Sequence, residues 1–301
     1  MVHRAGCTAW LLSIAVLVMA PLQACGPRTE TAGSNVREPL FDNLGDLTYP
    51  INTTSELAQQ YFDQGLRWTW ALNHAGSRRA FQEAQRQDPN CAMCYWGEAY
   101  ALGQNINAPM EGSAVAEAVV AIQRAQELAA GASDKEAALI DALAVRYGVG
   151  TDVGQGDLER SYADAMREVY GQFPDDRQIA PLYADAVMNT MPWDYWEDDG
   201  VTPRAGIGEV IEALEGALAV DPNNVGAIHL YIHLTEASAE PGHAERLASL
   251  MPGAGHIVHM GAHTFYRMGR FADSVEVNKR AVEADDEYFA RIDDQSLWQY
   301  G

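Results

Sequence analysis

Histidines are concentrated in one short stretch of the chain. Six of the eight lie within residues 229–263, where an even spread would place about one. Four of them stand seven and eleven residues after a proline: His229 and His233 after Pro222, and His259 and His263 after Pro252. The repeated spacing predicts two structurally equivalent pairs, in each of which the imidazoles are one helical turn apart.

Helical periodicity separates these histidines from the residues that pack. At about 100° per residue, His256, His259 and His263 form one stripe, about 120° around the helix from the apolar stripe that contains Val258 and Ala262. We therefore expect the histidine stripe to lie outside the core. If the two helices that carry these pairs run side by side, about 10 Å apart, both pairs can face one hollow.

Imidazole nitrogens grouped in this way suit a zinc, copper or iron ion, and three or four such ligands make a site. The predicted ligands are His229, His233, His256, His259 and His263, with Glu236 and Asp185 as supplementary carboxylates. Glu236 lies one turn beyond His233, and Asp185 stands eleven residues after Pro174. In the alternative, the histidines line a groove that binds a peptide or an anionic ligand without metal, or they fill gaps and bond to backbone carbonyls.

Motifs that would name a reaction are missing from the sequence. The chain has no His-Glu-x-x-His spacing of the zinc-protease kind, and no Ser-His-Asp set can be assembled from it. A binding function is therefore favoured over catalysis.

The chain is strongly acidic, with a formal net charge of −22. This charge argues against nucleic acid and anionic lipid surfaces as direct partners and favours cations. The apolar content, 48% of residues, is that of a folded protein.

The elements that must position the histidines are helical. Thr54 or Ser55 can cap a first helix, and a second runs from about Ser77 to Gln87, where Asp88-Pro89 ends it. The residues of this pair match the tetratricopeptide pattern: Tyr61, Gly65 and Trp68 on the first helix, Ser77, Phe81 and Ala84 on the second, and Pro89 at the close. A shift of 34 residues takes the first-helix positions to Tyr95, Ala99 and Leu102. The chain thus resembles tetratricopeptide-repeat (TPR) proteins.

This resemblance predicts an all-α fold, an α-α superhelix or TPR solenoid. Turns at Pro174, Pro222 and Pro252 mark further degenerate copies, which gives about four to five helical hairpins within residues 51–288. The stretch from Glu283 to Gly301 begins another helix that has no packing partner, so residues 289–301 are predicted to be an incomplete capping helix or a truncated end. The resemblance also implies a concave groove, predicted to be lined by Met93, Trp96, Tyr100, Tyr266 and Arg267.

One acidic and aromatic insertion, Met191 to Gly206, interrupts the array. Two interpretations are open. It is a solvated loop whose aromatic side chains pack back onto the helices, or it is a functional lid.

The amino terminus has the pattern of an export signal. His3 and Arg4 precede the apolar run Ala9 to Met19, and residues 1–24 are predicted to be a cleaved signal peptide. Leu22-Gln23-Ala24-Cys25 resembles the bacterial lipobox, which implies a lipidated Cys25 and an envelope location. Gly26 at the next position implies, by resemblance to Gram-negative sorting, an outer-membrane anchor facing the periplasm. An ordinary signal peptide is the alternative. Residues 25–50 are predicted to be a flexible tether.

Cys91 and Cys94 open the second repeat at a predicted helix start. Three interpretations are open: a short-range disulfide in an oxidising compartment, a redox-active pair, and a haem attachment site. Tyr95 stands where haem attachment requires a histidine, which disfavours the third.

The runs Cys91 to Ala99, Asn105 to Met110 and Gly255 to His263 resemble a group of uncharacterised bacterial TPR lipoproteins over residues 50–290. The likeness implies a helical solenoid without naming an activity. Two functions follow as expectations. The first is a lipid-anchored scaffold that binds a protein segment or small ligand in its groove, and the second is a metal-binding or metal-dependent protein that uses the histidine cluster.

Overall fold

The computed structural model describes residues 38–150, 157–241 and 247–292. Within these ranges the chain is all-helical and contains no β-strand, so the all-α part of the predicted fold class is confirmed. The helices are α1 (Glu56–Trp70), α2 (His74–Gln87), α3 (Ala92–Ala101), α4 (Gly112–Leu128), α5 (Asp134–Arg146), α6 (Leu158–Gln172), α7 (Ile179–Met188), α8 (Ile207–Val220), α9 (Val225–Thr235), α10 (Leu247–Leu250), α11 (Gly255–His259), α12 (Gly261–Arg267) and α13 (Phe271–Arg291).

Local signals set several helix boundaries. The side chains of Ser55 and Asn73 accept hydrogen bonds from the first-turn amides of α1 and α2, and Asn224 does the same for α9. Ser133 and Glu136 form a capping box at the start of α5. Each predicted proline turn separates two helices, since α2, α6, α8 and α10 end just before one and α3, α7, α9 and α11 begin just after it.

Consecutive helices pack as hairpins. The helices α1 and α3, α3 and α5, and α7 and α9 also contact each other. The ring of Phe81 on α2 lies against two glycines, where a Cβ on Gly65 or Gly97 would come within 2.7 or 2.4 Å of its ring atoms. The first three helices approach closely because these positions carry no side chain.

The last described helix packs back onto the first hairpin. The ring of Tyr288 on α13 lies 4.9 Å from that of Trp68, and its hydroxyl accepts a hydrogen bond from Arg79 at 2.6 Å. The sequence predicted a separate terminal helix from Glu283 without a packing partner. This was wrong, because α13 runs unbroken from Phe271 to Arg291 and aromatic burial holds its end.

The second half of the predicted tether is also part of the folded unit. The side chains of Phe41, Leu44 and Tyr49 are buried. The Phe41 and Tyr49 amides donate to the buried side chains of Gln64 and Asp63, at 2.8 and 2.9 Å. The flexible-tether prediction is therefore wrong for residues 38–50, because the segment contributes apolar side chains to the core without helical periodicity.

Several predictions concern residues that the structure does not describe. The signal peptide, residues 1–24, the lipidated Cys25 and the end of the capping segment, residues 293–301, all lie outside the described ranges. Among the helices that are described, none has both the length and the apolar character needed to cross a bilayer.

Candidate metal centre

Three helices and one helix end bring the histidine cluster together. His229 and His233 lie on α9, one turn apart, and Glu236 caps the end of that helix. After the Pro252 turn, α11 carries His256 and His259 and α12 carries His263. The short break at Met260, where α11 gives way to α12, separates the last two histidines.

The first group comprises His229, His233 and His256. Each offers a ligand atom, and these atoms all lie within 4.8 Å of one another. The Nε2 atoms of His229 and His256 are 3.1 Å apart. His229 and His233 are buried, with 0% and 1% of their surface exposed. The stripe of His256, His259 and His263, predicted to lie outside the core, is partly exposed, whereas the equivalent pair on α9 is enclosed by its neighbours.

The second group comprises His259 and His263, and the Nδ1 atom of each faces an oxygen acceptor. One oxygen of Glu236 lies 3.1 Å from His233 Nδ1 and the other lies 2.7 Å from His263 Nδ1. His259 Nδ1 lies 2.6 Å from Asn278 Oδ1, and the Nε2 atoms of His259 and His263 are 3.0 Å apart. Both groups therefore meet at Glu236, which contacts one histidine of each.

The hydrogen-bond partners assign the protons of the ring nitrogens. A carboxylate only accepts, so His233 and His263 each carry a proton on Nδ1 and donate it to Glu236. His233 Nε2 is then an unprotonated, buried nitrogen, and it has no hydrogen-bond partner among the described residues. A buried lone pair without a partner is costly unless it binds a cation. The imidazole of His233 thus has the arrangement of a metal ligand oriented by a carboxylate.

Burial favours neutral imidazoles in this cluster. It lowers the pKa of His229, His233 and His256, and the neighbouring histidines lower each of them further. Burial also raises the pKa of Glu236, but the hydrogen bonds from His233 and His263 outweigh it and hold this pKa at about 2. His229, His233 and His256 therefore present neutral nitrogen donors beside one anionic carboxylate, and the neutral form is the one in which imidazole binds metal.

The cluster opens into a cavity of about 450 Å³. His233, His256, His259 and His263 line one side, and the rest includes Asn107, Trp193, Asn278, Val282 and Asp285. The cavity is thus large enough for a small molecule beside the imidazoles.

The predicted insertion contributes to this cavity. Trp193 has a φ of 67°, an unusual conformation for a bulky residue, and its ring lies 5.1 Å from that of His233, edge-on. Tyr195 is buried, and Trp196 Nε1 donates to the Leu234 carbonyl at 2.6 Å. The aromatic side chains do pack back onto the helices, and one of them also forms a wall of the site.

The structure does not place Asp185 in the cluster. Its carboxylate accepts hydrogen bonds from the Tyr100 hydroxyl at 2.7 Å and from Asn189 Nδ2 at 2.9 Å, and it belongs to neither group of ligand atoms. Burial raises its pKa. The prediction of Asp185 as a supplementary ligand is wrong because both of its oxygens already have partners, Tyr100 on α3 and Asn189 just after α7.

The predicted groove residues also lie elsewhere. Trp96 and Tyr100 are buried and stacked on each other at 5.3 Å, and Trp96 Nε1 donates to the Leu139 carbonyl. Met93 is buried too, while Tyr266 and Arg267 are exposed at the end of α12, outside the cavity. The groove assignment fails because alternate helices pack on each other directly, so the inner face of α3 is core.

Cys91 and Cys94 are joined by a disulfide in the structure. Both residues are buried, and Cys91 Sγ accepts a hydrogen bond from the Cys94 amide at 3.1 Å, as the N-cap of α3. This arrangement matches the first of the three interpretations, the short-range disulfide.

One further histidine is buried away from the cluster. His74 Nδ1 donates to the Ala101 carbonyl at 2.8 Å, and Nε2 accepts from Asn105 Nδ2 at 3.0 Å. The amide of Asn105 cannot flip without loss, because its oxygen accepts from the Asn107 and Ala108 amides. Burial lowers the pKa of His74 to about 4, so this ring is a neutral structural histidine.

Sequence reasoning missed the residues that α13 and the insertion contribute, namely Asn278, Asp285 and Trp193. Asn278 and Asp285 are seven residues apart and so lie on one face of α13. A polar stripe at that spacing was the available signal, but it does not tell which helix it faces.

The chain matches no protein-family model. A search of curated proteins likewise finds no significant match. The chemistry of the cluster itself therefore carries the functional interpretation.

Proposed function

We propose that this protein binds a first-row transition-metal ion through His229, His233 and His256. Two observations carry the proposal: one ring nitrogen from each of the three histidines lies within 4.8 Å of the others, and the Nε2 of His233 is buried without a hydrogen-bond partner in the described part of the chain. Its opposite nitrogen is fixed by Glu236. Carboxylates oriented in this way are the usual outer partners of metal-bound histidine.

The spacing of the nitrogens fits such an ion. With metal–nitrogen bonds of about 2.0–2.1 Å, two ligands at a tetrahedral angle are about 3.3 Å apart. The 3.1 Å between His229 Nε2 and His256 Nε2 is close to this value. Three imidazoles suit zinc, copper or iron, and they leave a coordination position for a further ligand.

The scaffold of this proposal is a TPR-like array. Its support is the series of helical hairpins separated by proline turns, with alternate helices in contact and Phe81 packed against Gly65. The lipobox-like Leu22-Gln23-Ala24-Cys25 supports a lipid-anchored location in the cell envelope as the setting of this activity.

A second candidate function is the binding of a small ligand in the 450 Å³ cavity. Trp193 supports it, because its ring lies beside His233 on the cavity wall while its indole Nε1 donates to the Ile106 carbonyl at 2.8 Å. A small ligand suits the site better than a protein segment. Trp96 and Tyr100, which were predicted to line a groove for such a segment, are buried and cannot contact it.

Elemental analysis of protein purified without a polyhistidine tag tests the proposal. Metal-stripped protein is titrated with Zn²⁺, Cu²⁺ and Fe²⁺, and we expect at least one of these ions to bind stoichiometrically. His229→Gln and His256→Gln should lose that ion. His74→Gln, which changes a buried histidine outside the cluster, should retain it. Failure of the wild-type protein to take up any of the three metals would refute the proposal.

A further inference from the structure

The Nδ1 atoms of His259 and His263 each face a hydrogen-bond acceptor. Asn278 Nδ2 donates to the Ser274 carbonyl at 2.9 Å, which turns its Oδ1 toward His259 Nδ1. Glu236 presents a carboxylate oxygen to His263 Nδ1 at 2.7 Å. Both Nδ1 atoms are therefore donors, and in the neutral form of each ring Nε2 carries a bare lone pair.

These two lone pairs face each other. The Nε2 atoms are 3.0 Å apart, which is hydrogen-bond distance, and when both rings are neutral neither atom has a proton to donate to the other. Two acceptors at this separation repel unless a cation lies between them. Ligands of one metal ion at a near-right angle, with bonds of about 2.0–2.1 Å, come about 3 Å apart.

We propose that a second metal ion binds His259 and His263, so that the protein holds a dinuclear centre. This inference rests on the proposed function, since the first ion occupies the group of His229, His233 and His256. The two groups adjoin: the ring centroids of His233 and His263 are 5.2 Å apart, and those of His256 and His259 are 6.0 Å apart.

Glu236 connects the two ions. It accepts from His233, a ligand of the first ion, and from His263, a ligand of the second. One carboxylate therefore orients a ligand of each ion and compensates part of the charge that both bring. It is a positioning residue for the whole centre.

The second ion is the more accessible and has fewer protein ligands. The His263 side chain is 23% exposed, whereas that of His233 is 1% exposed. Two imidazoles leave several coordination positions for water or for a small ligand in the adjoining cavity, which His256, His259 and His263 line. We therefore expect the second ion to bind more weakly and to be removed first by a chelator.

Metal counting with matched variants tests the inference. Tag-free, metal-stripped full-length protein is titrated with Zn²⁺ and separately with Cu²⁺, desalted and analysed for metal per chain. We expect two ions in the wild type and one in His259→Gln and His263→Gln. His229→Gln should lose the other ion, and His229→Gln/His263→Gln should hold none. Circular dichroism of each metal-free variant verifies that it is folded.

Proximity of the ions has its own signature. In the fully copper-loaded wild type, we expect dipolar broadening of the Cu²⁺ electron paramagnetic resonance spectrum and a half-field transition. Both should disappear in His263→Gln, which keeps one isolated ion.

The outcomes separate the inference from the proposed function. One ion per chain, lost in His229→Gln and unchanged in His259→Gln and His263→Gln, would overturn the second site and leave the first standing. A shared proton would then explain the short distance between the rings of His259 and His263. Two ions that persist in His263→Gln, or two ions without magnetic coupling, would also overturn the dinuclear centre. Absence of any bound metal would refute the proposed function itself.

Discussion

Replacement of Glu236 by glutamine tests the role of the carboxylate at the centre of the cluster. Glu236 accepts hydrogen bonds from His233 and His263, at 3.1 and 2.7 Å. A glutamine has the same shape but offers one acceptor oxygen and one donor NH₂ group. It can therefore serve only one of the two imidazoles in their present tautomers.

The Nδ1–H group of the other imidazole then points at the NH₂ group of the glutamine. It relieves this clash by moving its proton from Nδ1 to Nε2, which blocks the nitrogen that would bind metal. Loss of an outer carboxylate typically weakens metal binding about 10- to 100-fold, or about 1.4 to 2.7 kcal/mol. We expect Glu236→Gln to fall within this range for at least one ion.

The assay is a competition titration of metal-stripped protein with Zn²⁺ and a chromophoric chelator at pH 7.5. Asp185→Asn is the matched control, because Asp185 is also a buried carboxylate but hydrogen-bonds to Tyr100 and Asn189 outside the cluster. We expect its affinity for Zn²⁺ to equal that of the wild type. An affinity of Glu236→Gln within twofold of the wild-type value would contradict the proton assignment and the positioning role of Glu236.

Three further predictions concern the scaffold and are measured on metal-free protein by urea unfolding. Gly97→Ala should destabilise the fold by about 1–3 kcal/mol, because its Cβ would lie 2.4 Å from the ring of Phe81; an unchanged midpoint would show that the ring moves freely. Burial lowers the pKa of His74 to about 4, so the unfolded chain binds the extra proton first and stability falls as pH decreases from about 6.5 to 4. This histidine should contribute about 3 kcal/mol to that loss, and His74→Gln should show a shallower pH dependence than the wild type; parallel profiles would contradict the assignment. Cys91→Ala/Cys94→Ala opens a loop of four residues and should cost about 2 kcal/mol, whereas a change below about 0.5 kcal/mol would mean that the disulfide does not constrain the unfolded chain.

Local patterns in the sequence predicted the elements well. Proline turns and cap residues such as Ser55 act on residues only a few positions away, so the first hairpin and the starts of later helices were predictable. The same patterns failed where burial depends on distant partners. The segment around Leu44 contains no periodic signal, yet it packs against residues far along the chain.

The ligand set of the candidate site was also largely predictable, because the two histidine pairs occupy equivalent positions after equivalent turns. Five imidazoles and Glu236 were identified from spacing alone and come together in the structure. Asp185 occupies the corresponding position after Pro174 but hydrogen-bonds to Tyr100 instead. Equivalent spacing after a turn thus predicts on which face of its helix a residue lies, but it does not predict which residues that face contacts.

The sequence by itself determined that the chain is helical and that histidines recur at one rotational phase, because both follow from interactions between residues a few positions apart. The tertiary structure decided that the Nδ1 atoms of His233, His259 and His263 face hydrogen-bond acceptors, that Glu236 joins the two groups, and that Trp193 and Asn278 complete the cavity. Those features depend on contacts between α9, α11, α12, α13 and the insertion. Proton positions are set by the distance and chemistry of a partner across space, which a one-dimensional pattern does not contain.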